Sequence, residues 1–167
     1  MHMTQLQLGD QAPNFTAQTS DNKPFHLHDH LKDDNRFHLL VFFRGEWCPV
    51  CNEQLQDLQE NLHVFKELNT HVMAISTDQP ENLQKLKENH HISFPVLHDE
   101  KEEALKAFGV YTHEDTLYED HGHHGEPGVF LIDPEKRILH ISVQTGPFGR
   151  PSAEDLRKTI KYIQKTL

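Results

Sequence analysis

Apolar residues along this chain fall into blocks that alternate between strand-like and helical spacing. The continuous apolar run over residues 39–43 is typical of a strand covered on both faces of its sheet, and we assign the strand to Phe37–Phe43. A second apolar run predicts a buried strand at Val72–Ser76. Between the two runs, Leu55, Leu58, Leu62, Phe65 and Leu68 recur at helical spacing and predict an amphipathic helix.

The rest of the chain follows the same alternation. The predicted elements are a short N-terminal hairpin (Phe15–Thr19 and Phe25–Leu27), a helix at Pro80–Asn89 capped by Thr77 or Asp78, a strand at Phe94–Leu97, a helix at Glu100–Phe108 stopped by Gly109, a hairpin (Val129–Ile132 and Arg137–Gln144), and a last helix opened by the capping box Ser152–Asp155. This order predicts a three-layer α/β/α sandwich over residues 1–167 as one domain, with His113–Gly125 as the one linker-like segment.

The charge balance excludes some classes of partner. Sixteen basic and 26 acidic side chains give a formal charge of −10, which argues against binding to nucleic acid or to an anionic membrane. No window approaches about 18 uninterrupted apolar residues, and the start lacks the pattern of a signal peptide. The expected location is therefore the cytoplasm.

Both cysteines of the chain lie in Trp47-Cys48-Pro49-Val50-Cys51, between the strand predicted at Phe37–Phe43 and the amphipathic helix that follows it. The positive end of a helix dipole stabilises an anion, and the thiolate is the attacking form of a cysteine. A redox-active pair is the favoured interpretation. The alternatives are half of a zinc site, although no second cysteine pair is present, and two inert thiols.

Four neighbouring features have both a functional and an ordinary interpretation. Arg44 can lower the pKa of a thiol or can pair with a surface carboxylate such as Glu46, and Trp47 can be a substrate platform or a packing residue. Arg150 is assigned by default to the entry of the last helix. The histidines at positions 121, 123 and 124 are interpreted as part of a solvated loop that is dispensable for the chemistry, so no metal site is predicted.

Several blocks in the same order resemble the peroxiredoxin-like branch of the thioredoxin superfamily, the alkyl hydroperoxide reductase/thiol-specific antioxidant family. They are Leu8–Phe15, Phe43–Cys51, Ala74–Asp78, Phe94–Asp99 and Gly128–Asp133. The resemblance implies a thioredoxin-like fold with a central mixed sheet, and an antioxidant oxidoreductase with a redox-active disulfide.

The motif around the dithiol combines two patterns of this superfamily. In the peroxiredoxin pattern P-x-x-x-T-x-x-C, the peroxide-attacking position is Cys51, while Cys48 and Arg44 replace the threonine and the proline. In the thioredoxin pattern W-C-x-x-C, Cys48 attacks and Cys51 resolves. Pro127 then stands where thioredoxins carry a cis-proline beside the dithiol.

Our first choice is a thiol-dependent oxidoreductase that works by dithiol–disulfide exchange, with Cys48 as the nucleophile. A thiol peroxidase using Cys51 or Cys48, and a non-enzymatic metal-binding or redox-sensing protein, are the alternatives. The resemblance implies a protein disulfide or hydroperoxide substrate and a thioredoxin- or glutathione-type electron donor, with no bound cofactor. It leaves the oligomeric state open and allows a homodimer.

Overall fold

A computed structural model describes residues 5–115, 117–118 and 121–167. The helices are α1 (Leu27–Leu31), α2 (Pro49–Glu60), α3 (Leu62–Glu67), α4 (Pro80–Asn89), α5 (Glu103–Phe108) and α6 (Ala153–Thr166). The strands are β1 (Thr16–Thr19), β2 (Pro24–His26), β3 (Phe37–Phe42), β4 (Thr70–Ser76), β5 (Val96–His98), β6 (Thr112–His113), β7 (His124–Gly125), β8 (Gly128–Ile132) and β9 (Ile138–Val143).

Seven of these strands form one mixed sheet in the order β2-β1-β5-β4-β3-β8-β9. Strand β4 pairs in parallel with both β3 and β5, and the remaining pairs in the sheet are antiparallel. The predicted N-terminal hairpin is confirmed as β1 and β2, and the hairpin after residue 128 is confirmed as β8 and β9.

The central strand β3 buries side chains on both of its faces, because successive residues of a strand point to opposite sides of the sheet. Leu39 and Val41 pack in the cluster that holds α2, α4 and α6, whereas Leu40 and Phe42 pack in the cluster that holds α1 and α5. Helices therefore cover both faces of the sheet. The predicted three-layer sandwich is confirmed in this part of the chain.

Local signals placed most element ends correctly and missed a few. Helix α4 has the predicted bounds, but its N-cap is Gln79, so neither Thr77 nor Asp78 occupies the cap position. Helix α5 begins at Glu103, three residues later than predicted, and it ends as expected where Gly109 adopts a positive φ of 67°. The capping box of α6 is formed by Ser152 and Asp155.

Three short elements were not predicted from the sequence. Helix α1 follows the N-terminal hairpin directly, and the two-residue strands β6 and β7 pair with each other at the ends of the predicted linker. Residues 116, 119 and 120 of that linker, and the chain start 1–4, lie outside the described residues. Among the described helices, none is both long and apolar enough to cross a membrane.

Candidate active site

The two cysteines lie at the start of α2, directly beyond the end of β3. Cys48 is the N-cap residue of this helix, Pro49 occupies its first turn, and the Cys48 N–H donates to the Gly45 carbonyl at 3.2 Å. Pro49 is suited to this position because its missing N–H would have no partner within the helix. The sequence therefore sets the dithiol at the end of the helix that favours negative charge.

Three donors surround the Cys48 sulfur. The Cys51 backbone N–H lies 3.3 Å from Cys48 Sγ, Arg150 Nη2 lies 3.7 Å away and Arg44 Nη1 lies 3.9 Å away. The pKa of Cys48 is lowered to about 5, first because the Cys51 thiol donates to its sulfur. Burial opposes this shift, but the Cys51 N–H and the two arginines add to it. Cys48 is thus the thiol that is ionised at neutral pH.

Cys51 has the opposite character. It is fully buried, and its sulfur accepts the backbone N–H of Arg44 at 3.3 Å. Burial raises the pKa of Cys51 well above its usual value, and its hydrogen bond to the Cys48 sulfur raises the pKa further. Both thiols are in the reduced form. Cys48 is itself only 1% exposed, so the two thiols differ in charge rather than in depth, and a protonated thiol beside an ionised one is the division of roles expected of a resolving and an attacking cysteine.

Arg44 is buried, and it does not pair with Glu46. Its Nε donates to Glu126 Oε1 at 3.0 Å, and its Nη2 lies 3.0 Å from His124 Nε2. Arg44 therefore pairs with a buried carboxylate rather than with Glu46, because the side chain turns inward from the end of β3 toward the strand β7 and Glu126. The Glu46 backbone N–H instead donates to Asp78 Oδ2 at 2.9 Å.

Trp47 lies over this group of charges. Its ring stacks on His121 with 3.9 Å between centroids and meets His124 edge-on at 5.1 Å. The Arg44 guanidinium lies 4.9 Å from the centre of the indole, within the range of a cation–π contact. The indole of Trp47 also lies against the backbone of Gly45. A side chain at position 45 would prevent this, because its Cβ would collide with the indole nitrogen. Trp47 is both a packing residue and a neighbour of the site.

Arg150 reaches the site from the segment before α6. Besides its contact with Cys48 Sγ, its Nε donates to the Pro147 carbonyl at 2.7 Å and its Nη1 donates to Gln54 Oε1 at 2.9 Å. These bonds hold the guanidinium in place, so Arg150 does more than lead into the last helix. Arg150 also lines an open groove of about 350 Å³ with Val50, Gln54 and the exposed Phe148. A larger cavity of about 530 Å³, lined by Arg36, Lys66 and His71 among others, includes neither cysteine.

Pro127 does not take the form expected of a thioredoxin-type proline. No cis peptide bond occurs in the described part of the chain, so the Glu126–Pro127 bond is trans and the expectation of a cis bond is wrong. The Pro127 carbonyl accepts the Gln144 N–H at 2.9 Å, which continues the pairing of β8 with β9. This removes the argument for a thioredoxin-like substrate groove at Pro127.

The histidines of the predicted linker divide into two groups. His123 is half-exposed and lies 2.7 Å from both Glu102 and Glu114, and these contacts raise its pKa. His124 is buried beside Arg44, so the interpretation of a solvated loop is wrong for this residue. Within the described ranges, no group of three His, Cys, Asp or Glu side chains is arranged to hold a metal ion.

The sequence analysis missed Glu126 and His124 as members of the site. Glu126 is fully buried, and the only local signal was its place in the block that precedes β8. His124 was read with its exposed neighbours because the run of histidines gives no sign of which ring turns inward. Both residues meet Arg44 across 80 or more positions of sequence.

Comparisons with known proteins agree with this architecture. The model of the AhpC/TSA family matches residues 8–141. Peroxiredoxin Bcp of Escherichia coli (strain K12) is 30% identical over 140 residues, which cover 83% of this chain and 86% of that protein. Among solved structures, PrxQ from Xylella fastidiosa has a TM-score of 0.79 at 24% identity and covers 97% of this chain and 98% of its own.

A second solved structure supports the same fold. Peroxiredoxin 6 of Arenicola marina has a TM-score of 0.83 at 22% identity, with coverage of 96% of this chain and 74% of that one. The thioredoxin-like fold predicted from the sequence is therefore confirmed.

Proposed function

The chain belongs to the AhpC/TSA family, and on that premise we propose that it is a thiol peroxidase in which Cys48 attacks the hydroperoxide and Cys51 resolves the product. Membership of this family makes the chain an oxidoreductase of the peroxiredoxin type, so the non-enzymatic alternative is set aside. The peroxiredoxin pattern of this family would place the attacking residue at Cys51, but Arg44 and Cys48 replace the proline and the threonine of that pattern, and we assign the roles differently. That assignment rests on the surroundings of each sulfur.

The observation that carries the proposal is the set of donors around Cys48 Sγ. Two guanidinium groups, those of Arg44 and Arg150, and the Cys51 N–H all approach this sulfur within 3.9 Å. These donors stabilise a thiolate before the reaction. They can also stabilise the negative charge that develops on the departing oxygen, which is the main task of a peroxidase site. Arg150 also acts to lower the pKa of Cys51, but burial and the hydrogen bond to the Cys48 sulfur outweigh it and keep Cys51 protonated.

The proposed reaction has two chemical steps. The Cys48 thiolate attacks the terminal oxygen of the hydroperoxide, the O–O bond breaks, and the departing alkoxide or hydroxide takes up a proton. Cys48 is thereby oxidised to a sulfenic acid. The Cys51 sulfur then attacks the Cys48 sulfur, an S–S bond forms, and the sulfenic oxygen leaves as water. An external dithiol returns the pair to the reduced state by thiol–disulfide exchange.

The electron donor in this scheme is a separate protein or small thiol. We propose a thioredoxin-type donor, with glutathione as the alternative, because the mechanism needs two electrons for each turnover and none of its steps uses a bound nicotinamide or flavin. We also propose that residues 1–167 act as one domain. The cytoplasmic location and the absence of a nucleic-acid partner stay predictions, as does the homodimer.

Dithiol–disulfide exchange with a protein substrate is the second candidate. It is favoured by the order Trp47-Cys48 and by the same pair of an ionised and a buried thiol. The sequence analysis placed this activity first. One finding supports the reverse order: the two arginines within 3.9 Å of the Cys48 sulfur fit a reaction that releases an anionic oxygen.

The test compares the wild type with Cys48→Ser and Cys51→Ser. Hydrogen peroxide, an organic hydroperoxide and a protein disulfide are offered in turn, and NADPH oxidation is followed through thioredoxin reductase and thioredoxin. We expect peroxide turnover in the wild type and none in Cys48→Ser. Cys51→Ser should consume one equivalent of peroxide and leave a sulfenic acid on Cys48 that a dimedone probe traps for mass spectrometry.

Two outcomes would contradict the proposal. Peroxide turnover that survives Cys48→Ser but not Cys51→Ser would make Cys51 the peroxide-attacking cysteine, as the peroxiredoxin pattern has it. Rapid reduction of the protein disulfide together with no reaction toward either peroxide would make disulfide exchange the activity.

A further inference from the structure

Arg44 is held by two buried side chains that come from a distant part of the sequence. Its Nε donates to Glu126 Oε1 at 3.0 Å, and its Nη2 lies 3.0 Å from His124 Nε2. All three side chains are at most 3% exposed. An unpaired charge at such depth would be strongly unfavourable, so the carboxylate of Glu126 is needed to keep the guanidinium of Arg44 in the interior.

His124 adds a directional constraint to this pair. Its Nδ1 lies 2.7 Å from the Gly122 carbonyl, which can only accept, so Nδ1 carries a hydrogen. In the neutral ring Nε2 is then an acceptor, and it receives an N–H from Arg44. In the charged ring Nε2 donates to Glu126 Oε1 at 3.1 Å instead. In both states the imidazole is bonded to one member of the Arg44–Glu126 pair.

The far end of the same guanidinium points at the dithiol. While Nε and Nη2 are taken by Glu126 and His124, Nη1 lies 3.9 Å from Cys48 Sγ. The guanidinium is planar, so fixing two of its nitrogens fixes the direction of the third. Burial acts to raise the pKa of Glu126, but its contacts with His124 and Arg44 outweigh burial and hold the pKa below the usual 4.5. Glu126 is therefore ionised at neutral pH and acts as a true counter-ion.

We propose that Glu126 and His124 are positioning residues, which hold the Arg44 guanidinium against Cys48 and thereby set the acidity and reactivity of the Cys48 thiol. This inference rests on the proposed role of Cys48 as the attacking cysteine. Neither residue touches a sulfur or the substrate in this scheme. Their effect passes through the direction of Arg44 Nη1.

Removing the charge of Glu126 and removing its hydrogen bond to Arg44 should have opposite effects on the pKa of Cys48. Glu126→Gln keeps an oxygen that accepts from Arg44 Nε but removes a negative charge near the thiolate, so the pKa of Cys48 should stay the same or fall. Glu126→Ala removes the anchor itself. Without this acceptor Arg44 Nε loses its hydrogen bond to Glu126, the guanidinium is held less firmly against Cys48 Sγ, and the pKa of Cys48 should rise by about one unit. A similar rise is expected for His124→Leu, with recovery in His124→Gln.

The measurement is the rate of alkylation of Cys48 against pH in the reduced full chain, resolved from Cys51 by mass spectrometry. Asp99→Asn is the matched control. Asp99 is also a buried carboxylate, but its two oxygens accept the Ala104 and Leu105 N–H groups at the start of α5. We expect it to lower the unfolding temperature and to leave the pKa of Cys48 within about 0.3 units.

The outcomes separate this inference from the proposed function. If Cys48 in the wild type titrates at or above the usual value for a free thiol, the assignment of Cys48 as the nucleophile is wrong. If the wild type shows a low pKa that Glu126→Ala and His124→Leu leave unchanged, the positioning role is wrong. Should Glu126→Ala fail to fold, His124→Leu against His124→Gln decides: equal pKa values in these two variants would overturn the proposal.

Discussion

Arg150 lies 102 positions after Cys48 in the chain, yet its Nη2 is 3.7 Å from the Cys48 sulfur. The guanidinium is held there by bonds to Gln54 and to the Pro147 carbonyl. Two arginines from distant parts of the sequence therefore converge on one thiol, since Arg44 Nη1 lies 3.9 Å from the same sulfur. The start of α2 adds the Cys51 N–H to the same sulfur.

The contact of Arg150 with Cys48 predicts a loss of reactivity when the charge is removed. In Arg150→Met the pKa of Cys48 should rise by about one unit, because a nearby positive charge favours the thiolate. The value of kcat/KM for hydrogen peroxide should fall about a hundredfold, as expected when one donor to a developing oxyanion is lost. Arg150→Lys should recover only part of the loss, since an ammonium group cannot bond Gln54, Pro147 and the sulfur at once.

Arg157→Met is the control for this experiment. Arg157 lies on the following helix and pairs with Glu154 at the surface. The Arg157→Met variant should leave both the pKa of Cys48 and the kcat/KM for hydrogen peroxide unchanged. Equal rates in Arg150→Met and the wild type would show that the contact with the sulfur does not contribute to turnover.

The groove beside Arg150 predicts a preference among peroxides. Phe148 is 66% exposed and lines this groove with Val50, which gives an apolar surface beside Arg150. Phe148→Ala should raise KM for cumene hydroperoxide severalfold, because the aromatic ring of that substrate loses apolar contact. The KM for hydrogen peroxide should stay within about twofold. Tyr162→Ala, an exposed aromatic residue on α6, is the control. A parallel change for both peroxides would argue against binding in this groove.

A cluster of three histidines far from the dithiol predicts a loss of stability in acid. The rings of His30, His38 and His71 lie 5.3 to 5.5 Å apart, and His38 Nε2 lies 3.3 Å from Asp34 Oδ2, whose charge opposes the effect of burial on the pKa of His38. Burial lowers the pKa of His38 to about 4 and that of His71 to about 4. In the unfolded chain the pKa values of these histidines are near 6.5. Between about pH 4 and pH 6.5 the unfolded chain therefore binds more protons than the folded chain.

The free energy of unfolding should fall as pH decreases from about 6.5 to 4, by at most about 3 kcal/mol for His38. Urea unfolding at several pH values measures this slope. His38→Phe keeps a ring in the cluster and removes the titrating group, so its stability should depend less on pH. His63→Gln, on an exposed position of α3, should retain the slope of the wild type. If the unfolding free energy of His38→Phe depended on pH as steeply as that of the wild type, His38 would not be the group responsible.

The close approach of Gly45 to Trp47 predicts a steric effect. A Cβ in Gly45→Ala would collide with the indole, so the ring should shift from its stack on His121. We expect a loss of about 1 to 3 kcal/mol, as for other overpacked sites, and altered tryptophan fluorescence. Trp47 is the only tryptophan in the sequence, so the signal is unambiguous. In Gly146→Ala the new Cβ would have 3.8 Å to its nearest neighbour, and neither quantity should change.

The exposed histidines of the segment before β7 are expected to be dispensable for the chemistry. His123→Ala removes two surface ion pairs and should change turnover by less than about twofold. Dialysis against EDTA should also leave turnover unchanged, because the proposed mechanism uses no metal. Loss of activity that zinc or copper restores would show that these imidazoles hold a functional ion.

The features that could be predicted from the sequence are those that depend on neighbouring residues. The apolar blocks placed β3, β4, α2 and α4, and Gly109 and the capping box marked helix ends, because each signal acts within a few residues of chain. The position of the two cysteines at the start of α2 followed in the same way. A helix terminus favours a thiolate whatever the rest of the fold does.

The side chains that surround the thiols depend instead on long-range packing. Arg44 could have paired with Glu46 next to it, but packing of β3 against the segment before β8 buries it against Glu126 and His124. Arg150 reaches Cys48 because α6 packs beside α2. Contacts across 80 to 102 residues depend on how whole elements pack, and no local pattern of a single sequence encodes which buried polar groups will meet.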